Sequence, residues 1–265
     1  ISDQRGVLVG LRQTFLEPPT VVRIDPKSKK VAKLSRINDA LHAGTAFGSY
    51  ESVTYPGANG KPIQMWVNYP PGFDKSKKYP FFMVIHGGPH NAVTNGMQFR
   101  WNAQVFASWG YVTAWPNFHG SSGFGNTFTD SINPYWDDLP YRDVIAAAEW
   151  FKQQPWIDAD RMVAGGGSYG GYLTSVILGR PHPFKALVAH AAVYNLYTQV
   201  GADFGYEIPR FGGFWTPEQD AVFRQGGDEF SVIAPETDRA QAEGLAARVE
   251  EAISVISSGD VEISA

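Results

Sequence analysis

The chain has 265 residues, enough for one large α/β domain with small appendages. Hydrophobic residues make up 43% and aromatics 14%, which excludes global disorder, and a net charge of −4 is too mild to indicate a nucleic-acid partner. There is no cysteine, so disulfides, thiolate metal sites and a cysteine nucleophile are all excluded.

Residues 1–45 hold short apolar bursts, Val7-Leu8-Val9 and Val21-Val22-Arg23-Ile24, with Pro and Gly between them. Residues 22–28 read as a strand running into a tight turn, with a return toward Val31. These strands are too few to close a sheet of their own. Residues 50–55 and 63–69 alternate around Pro56-Gly57-Ala58-Asn59-Gly60, the pattern of a hairpin. The pattern then changes. Residues 79–85 (YPFFMVI) form a continuous apolar run, as in a strand buried on both faces.

Residues 97–109 have helical spacing, 111–115 read as a strand, and 141–153 as a helix with Val144, Ala147, Ala148 and Phe151 on one face. A short strand is predicted over 161–164, a helix over 168–178 and a strand over 185–190. This alternation predicts a doubly wound, mostly parallel sheet whose loops after the strands hold the site. From residue 216 onward there are eleven acidic residues, three arginines and only two aromatics, a net of −8 that leaves +4 for the rest. The shift predicts a boundary near residue 216. Helical signals follow it, a start at Thr216-Pro217-Glu218-Gln219 and an amphipathic face of Leu245, Val249, Ala252, Ile253 and Ile256. No apolar run long enough to span a membrane is present, and no cofactor or metal is expected.

Gly165-Gly166-Gly167-Ser168-Tyr169-Gly170-Gly171 contains G-x-S-x-G between a predicted strand and a predicted helix. That context is the nucleophile elbow, a sharp turn in which Gly166 and Gly170 let strand and helix approach closely around Ser168. The competing reading is a glycine-rich turn whose serine merely caps the helix. His86-Gly87-Gly88-Pro89 follows the buried strand. Acyl transfer needs N–H donors aimed at an oxyanion, and H-G-G after this strand is one source of them. Gly88 is expected to supply one donor and Tyr169, next after the nucleophile, the other. His86 and Gly87 are expected to support the loop.

Here the sequence resembles a known family. Tyr69-Pro70-Pro71-Gly72-Phe73-Asp74, then Lys77-Lys78-Tyr79-Pro80, then HGGP, are similar to the start of the catalytic domain in the prolyl oligopeptidase family of serine peptidases, in its acylaminoacyl-peptidase and dipeptidyl-peptidase branch. Asn117-Phe118-His119-Gly120-Ser121-Ser122-Gly123-Phe124-Gly125 resembles that family's N-x-R-G-S-x-G-[YF]-G loop, with His119 where arginine is usual. Asp143 holds a position typical of the family, and residues 156–161 with GGSYGGY resemble its approach to the elbow. The likeness implies an α/β-hydrolase catalytic domain over 46–215, β-propeller strands over 1–45 and a peptide substrate. The 216–265 tail has no counterpart in it.

A serine nucleophile needs a base and a carboxylate, which in this fold follow it in the order Asp or Glu, then His. After Ser168 the histidines are His182 and His190, both ahead of any expected position for the acid. Asp203 and Asp228 lack a preceding buried strand, and His42, His90 and His119 read as surface or loop residues. The triad Asp and His are therefore expected to be missing from the chain, as in a sequence cut short. Two alternatives remain: a carboxylesterase or lipase-like hydrolase, which shares both signatures, and a catalytically inactive remnant.

Overall fold

The structure, a computed structural model, describes residues 2–4, 7–194 and 230–233. Strands β1 (Ser2–Gln4), β2 (Val7–Thr14), β3 (Glu17–Ile24) and β4 (Val31–Lys33) form an antiparallel sheet in chain order. Val21 pairs with Leu11 and Ile24 with Leu8, so this segment stays out of the larger sheet. The β3–β4 turn closes on Asp25, whose carboxylate accepts the N–H groups of Lys27 and Ser28. A short helix, α1 (Asp39–His42), follows. The small sheet docks on the larger unit through the β2–β3 turn, where buried Phe15 packs edge-on against Tyr50 and Trp66.

The second sheet has seven strands in the order β11-β10-β9-β7-β8-β6-β5. They are β5 (Tyr50–Pro56), β6 (Pro62–Asn68), β7 (Tyr79–Ile85), β8 (Val112–Pro116), β9 (Ile157–Gly167), β10 (Ala186–His190) and β11 (Phe230–Ile233). The inner four, β10, β9, β7 and β8, run parallel. The flanks are antiparallel: β6 and β5 on one side, β11 on the other.

The apolar run of β7 explains the layering. Phe81, Met83 and Ile85 face one core with helices α4 (Leu139–Lys152) and α5 (Tyr169–Leu178). Val84 and Phe82 face the other with α2 (Ala103–Ser108), Trp115 and Phe15. Period-two alternation thus fills both faces of one strand. A short helix, α3 (Asn126–Asp130), lies in the segment between β8 and α4.

Three expectations need correction. The helix predicted over 97–109 is only α2, because Asn102 caps it by accepting the N–H groups of Gln104 and Val105, and the residues before it form a loop. The short strand at 161–164 is instead the eleven-residue β9. Its glycines, which read as turn, continue the ladder by pairing with Val188, Ala189 and His190. The expected parallel core is present in β10, β9, β7 and β8, with antiparallel strands added at both flanks. The tail, expected to be helical, contributes β11, which pairs Phe230 with His190 through Ile233 with Leu187 and covers the edge of β10. The helices expected at 216–219 and 235–257 lie outside the described residues, as do Asp203 and Asp228. Among the described residues no helix is long and apolar enough to cross a membrane.

Candidate active site

β9 and α5 meet at a single residue. Ser168 has φ 59° and ψ −123°, a left-handed backbone that non-glycine residues rarely adopt. Its N–H donates to the His190 carbonyl at 3.0 Å, and its own carbonyl accepts the Tyr172 N–H at 3.0 Å. The turn is sharp because its flanks have no side chains. A Cβ at Gly166 would stand 2.3 Å from the Ile85 carbonyl oxygen, and one at Gly170 2.1 Å from the same atom. Either would collide with β7. The Ser168 hydroxyl makes no capping bond to α5, so it is not spent as a helix cap.

The loop after β7 lies alongside. A Cβ at Gly87 would come within 3.3 Å of the Ser168 Cβ and 3.8 Å of its Oγ. The glycine whose missing side chain leaves room beside the hydroxyl is therefore Gly87, not Gly88. Gly88 is glycine for another reason: its φ is +132°, and a Cβ there would stand 2.8 Å from the backbone nitrogens of His90 and Asn91.

His86 stacks on buried Phe118, with ring centroids 4.1 Å apart and planes within 8°. Its Nδ1 lies 2.8 Å from the Gly87 carbonyl oxygen and its Nε2 3.0 Å from Ser121 Oγ. Desolvation pulls this imidazole down to about 4, against the smaller opposing effect of the Gly87 bond, so it is neutral at physiological pH. Tyr169 opens α5, where the first N–H groups have no intrahelical acceptor and the dipole favours negative charge. Its side chain is buried and anchored, the hydroxyl donating to the Trp136 carbonyl, and burial raises the phenol well above its ordinary range.

Ser168 opens into a cavity of about 420 Å³. Gly87, His86, Trp101, Arg100 and His190 stand among its walls, and the described residues lining it include no aspartate or glutamate. His190 follows from topology: it ends β10 in register with Gly167, and its ring packs beside Trp101. Gln98, Arg100 and Trp101 escaped the sequence reading because their spacing mimics a helix. The signal that identifies them as loop is the Asn102 cap.

His119 is not at the cavity and not at the surface. It is buried, with Nδ1 2.7 Å from Asp143 Oδ2, and its ring stacks on Phe128. Asp143, fully buried on α4, also accepts the backbone N–H groups of His119 and Ala58, each at 2.7 Å. His90 is partly buried, with Nδ1 3.1 Å from the Gly120 carbonyl oxygen, and His42 stacks on Phe47. His182 lies in the loop between α5 and β10, stacked on Phe184.

A sequence profile of the prolyl oligopeptidase family matches residues 97–235. The chain belongs to that family. It is 36% identical to dipeptidyl-peptidase 5 of Schizosaccharomyces pombe over 216 residues, which cover 80% of this chain and 31% of that one. It is 43% identical to a probable dipeptidyl-peptidase 5 of Aspergillus terreus over 192 residues, covering 71% and 26%. Among solved structures, an acylaminoacyl peptidase in complex with Z-Gly-Gly-Phe-chloromethyl ketone superposes with a TM-score of 0.68 at 23% identity, covering 77% of this chain and 32% of that one. This prolyl oligopeptidase family chain thus has the α/β-hydrolase fold and spans between about a quarter and a third of the length of these curated relatives.

Proposed function

We propose that this chain carries the nucleophile and the oxyanion donors of a serine peptidase that cleaves short peptides. The observation that carries the reading is Ser168 itself: a serine held at positive φ where β9 turns into α5, its hydroxyl uncommitted to capping and opening into a cavity. Backbone strain at such a point costs roughly 1–3 kcal/mol and persists where the surroundings enforce it. In the proposed reaction Ser168 Oγ attacks the scissile carbonyl and forms a tetrahedral intermediate. The N–H groups of Tyr169 and Gly88 receive the oxyanion. The C–N bond breaks as the proton given up by Ser168 Oγ passes to the leaving amine, and water then attacks the acyl-enzyme, releasing the acid and returning a proton to Ser168 Oγ.

The relatives' names, dipeptidyl-peptidase, favour release of dipeptides over ester hydrolysis. β1–β4 fit the edge of a propeller, the reading implied by the resemblance. Reaction with a fluorophosphonate followed by peptide mapping tests the site. Modification is expected at Ser168, slowly because no triad base is expected within these 265 residues, and is expected to be absent in Ser168→Ala. Modification spread over other serines, or undiminished in Ser168→Ala, overturns the reading.

A further inference from the structure

The loop at 117–125 is prominent in the sequence, yet none of its side chains has a part in the proposed reaction. Ser121 lies in it, fully buried. Its backbone is fixed on both sides, the N–H donating to the Phe118 carbonyl at 3.0 Å and the carbonyl accepting the Thr129 hydroxyl at 3.1 Å. Its hydroxyl faces His86 Nε2 at 3.0 Å.

The protons on His86 follow by elimination. A carbonyl oxygen can only accept, so Nδ1, 2.8 Å from the Gly87 oxygen, must carry hydrogen. The ring is neutral, so Nε2 carries none and must accept. The remaining partner, the Ser121 hydroxyl, therefore donates. An imidazole hydrogen on Nδ1 is the less favoured tautomer of a free histidine side chain, so something must select it. Phe118 fixes the plane of the ring but does not distinguish its nitrogens.

The Gly87 carbonyl belongs to the same peptide unit as the Gly88 N–H. That unit is planar and trans, so its C=O and N–H point in opposite directions, and holding one aims the other. We infer that Ser121 is a positioning residue for the oxyanion loop: by donating to His86 Nε2 it selects the tautomer whose Nδ1–H holds the Gly87 carbonyl and so fixes the direction of the Gly88 N–H. The inference rests on the proposed role of Gly88 as a donor. It also gives a chemical reason for a serine within the NFHGSSGFG segment.

The test uses the 265-residue chain with ¹⁵N-labelled histidine. Long-range proton–nitrogen spectra report which nitrogen of His86 carries hydrogen, and the rate of fluorophosphonate modification at Ser168 reports the site. Wild type is expected to show hydrogen on Nδ1. Ser121→Ala should move His86 toward the Nε2–H tautomer and slow modification by at least about tenfold, part of the 10²–10³ that loss of an oxyanion donor costs. Ser121→Thr, which keeps the hydroxyl, should restore both. Hydrogen on Nε2 in the wild type overturns the inference. So does a tautomer, or a modification rate, that Ser121→Ala leaves unchanged. Failure of the nucleophile reading looks different: modification elsewhere than Ser168 in every variant, whatever the tautomer.

Discussion

The Nδ1 of His119 lies 2.7 Å from Oδ2 of Asp143, and the carboxylate is fully buried. The same carboxylate accepts two backbone N–H groups, from Ala58 at the end of the β5–β6 hairpin and from His119 itself. Asp143 is therefore a node tying α4, the hairpin and the 117–125 loop together. Asp143→Ala would leave three donors buried without an acceptor, at a cost of roughly 3–5 kcal/mol. His119→Ala removes one donor and leaves the carboxylate two, so its cost should be smaller, roughly 1–3 kcal/mol. Denaturant unfolding of both variants checks the order. Equal losses would mean that the histidine, not the carboxylate, organises the node.

The two elbow glycines make a sharper prediction. Gly170→Ala would place a methyl 2.1 Å from the Ile85 carbonyl oxygen, a backbone atom of the central strand that cannot step aside cheaply. A loss of at least about 3 kcal/mol is expected. Gly44→Ala is the control, because nothing lies within 4 Å of its added methyl, and it should change stability by less than about 0.5 kcal/mol. Comparable unfolding midpoints for the two variants would contradict the close approach described for β7, β9 and α5.

That elbow was legible in the sequence because close backbone approach demands glycine at fixed positions, and the demand leaves letters behind. Other features left weaker or misleading ones. Residues 97–102 have apolar residues at helical spacing, yet those side chains serve a cavity and a loop, and only Asn102 marks where the helix begins. Gly165, Gly166 and Gly167 signalled a turn while lying in a strand, since a ladder needs only backbone groups. His119 read as a loop residue because its partner is 24 residues away on α4, a pairing that no local pattern records. β11 was invisible for the same reason, a four-residue strand whose partner β10 lies about 40 residues earlier. Between Gly87 and Gly88, sequence alone offered no way to tell which clears space and which bends the chain.

His86 predicts a pH dependence of stability. Its folded value, about 4, lies below the ordinary 6.5, so between these values the unfolded chain binds a proton that the native one does not. Stability then rises with pH across that window. The contribution of His86 is complete above about 6.5 and is lost as pH falls toward 4, amounting to up to about 3 kcal/mol. His182, also lowered by burial, acts in the same direction. His86→Asn keeps a side-chain N–H that can reach the Gly87 carbonyl but cannot titrate, so the slope between pH 4 and 6.5 should flatten to what His182 supplies. Unfolding curves at several pH values decide it, and an unchanged slope in the variant would remove His86 from the account.

The last prediction concerns turnover by the 265 residues alone. Ser168 needs a base to take its proton and a carboxylate to orient that base. The two imidazoles at the cavity are not equivalent. His86 has Nδ1 against the Gly87 carbonyl and Nε2 against Ser121, so both of its nitrogens are committed. His190 shares the cavity with Ser168, but it ends β10, ahead of the place along the chain where this fold carries its acid and then its histidine. His119 is held by Asp143 inside the fold, and His182 lies in the loop between α5 and β10. A serine without its base keeps only the benefit of binding and the oxyanion donors, and loss of a triad histidine costs roughly a millionfold in turnover. The chain should therefore hydrolyse dipeptidyl p-nitroanilides at rates far below those of an enzyme with a complete triad. Assays of wild type, Ser168→Ala and His190→Ala separate the possibilities. Equally slow hydrolysis in all three is the expected result. Fast hydrolysis that both substitutions abolish would make His190 the base and show that a carboxylate reaches it from residues outside the described set.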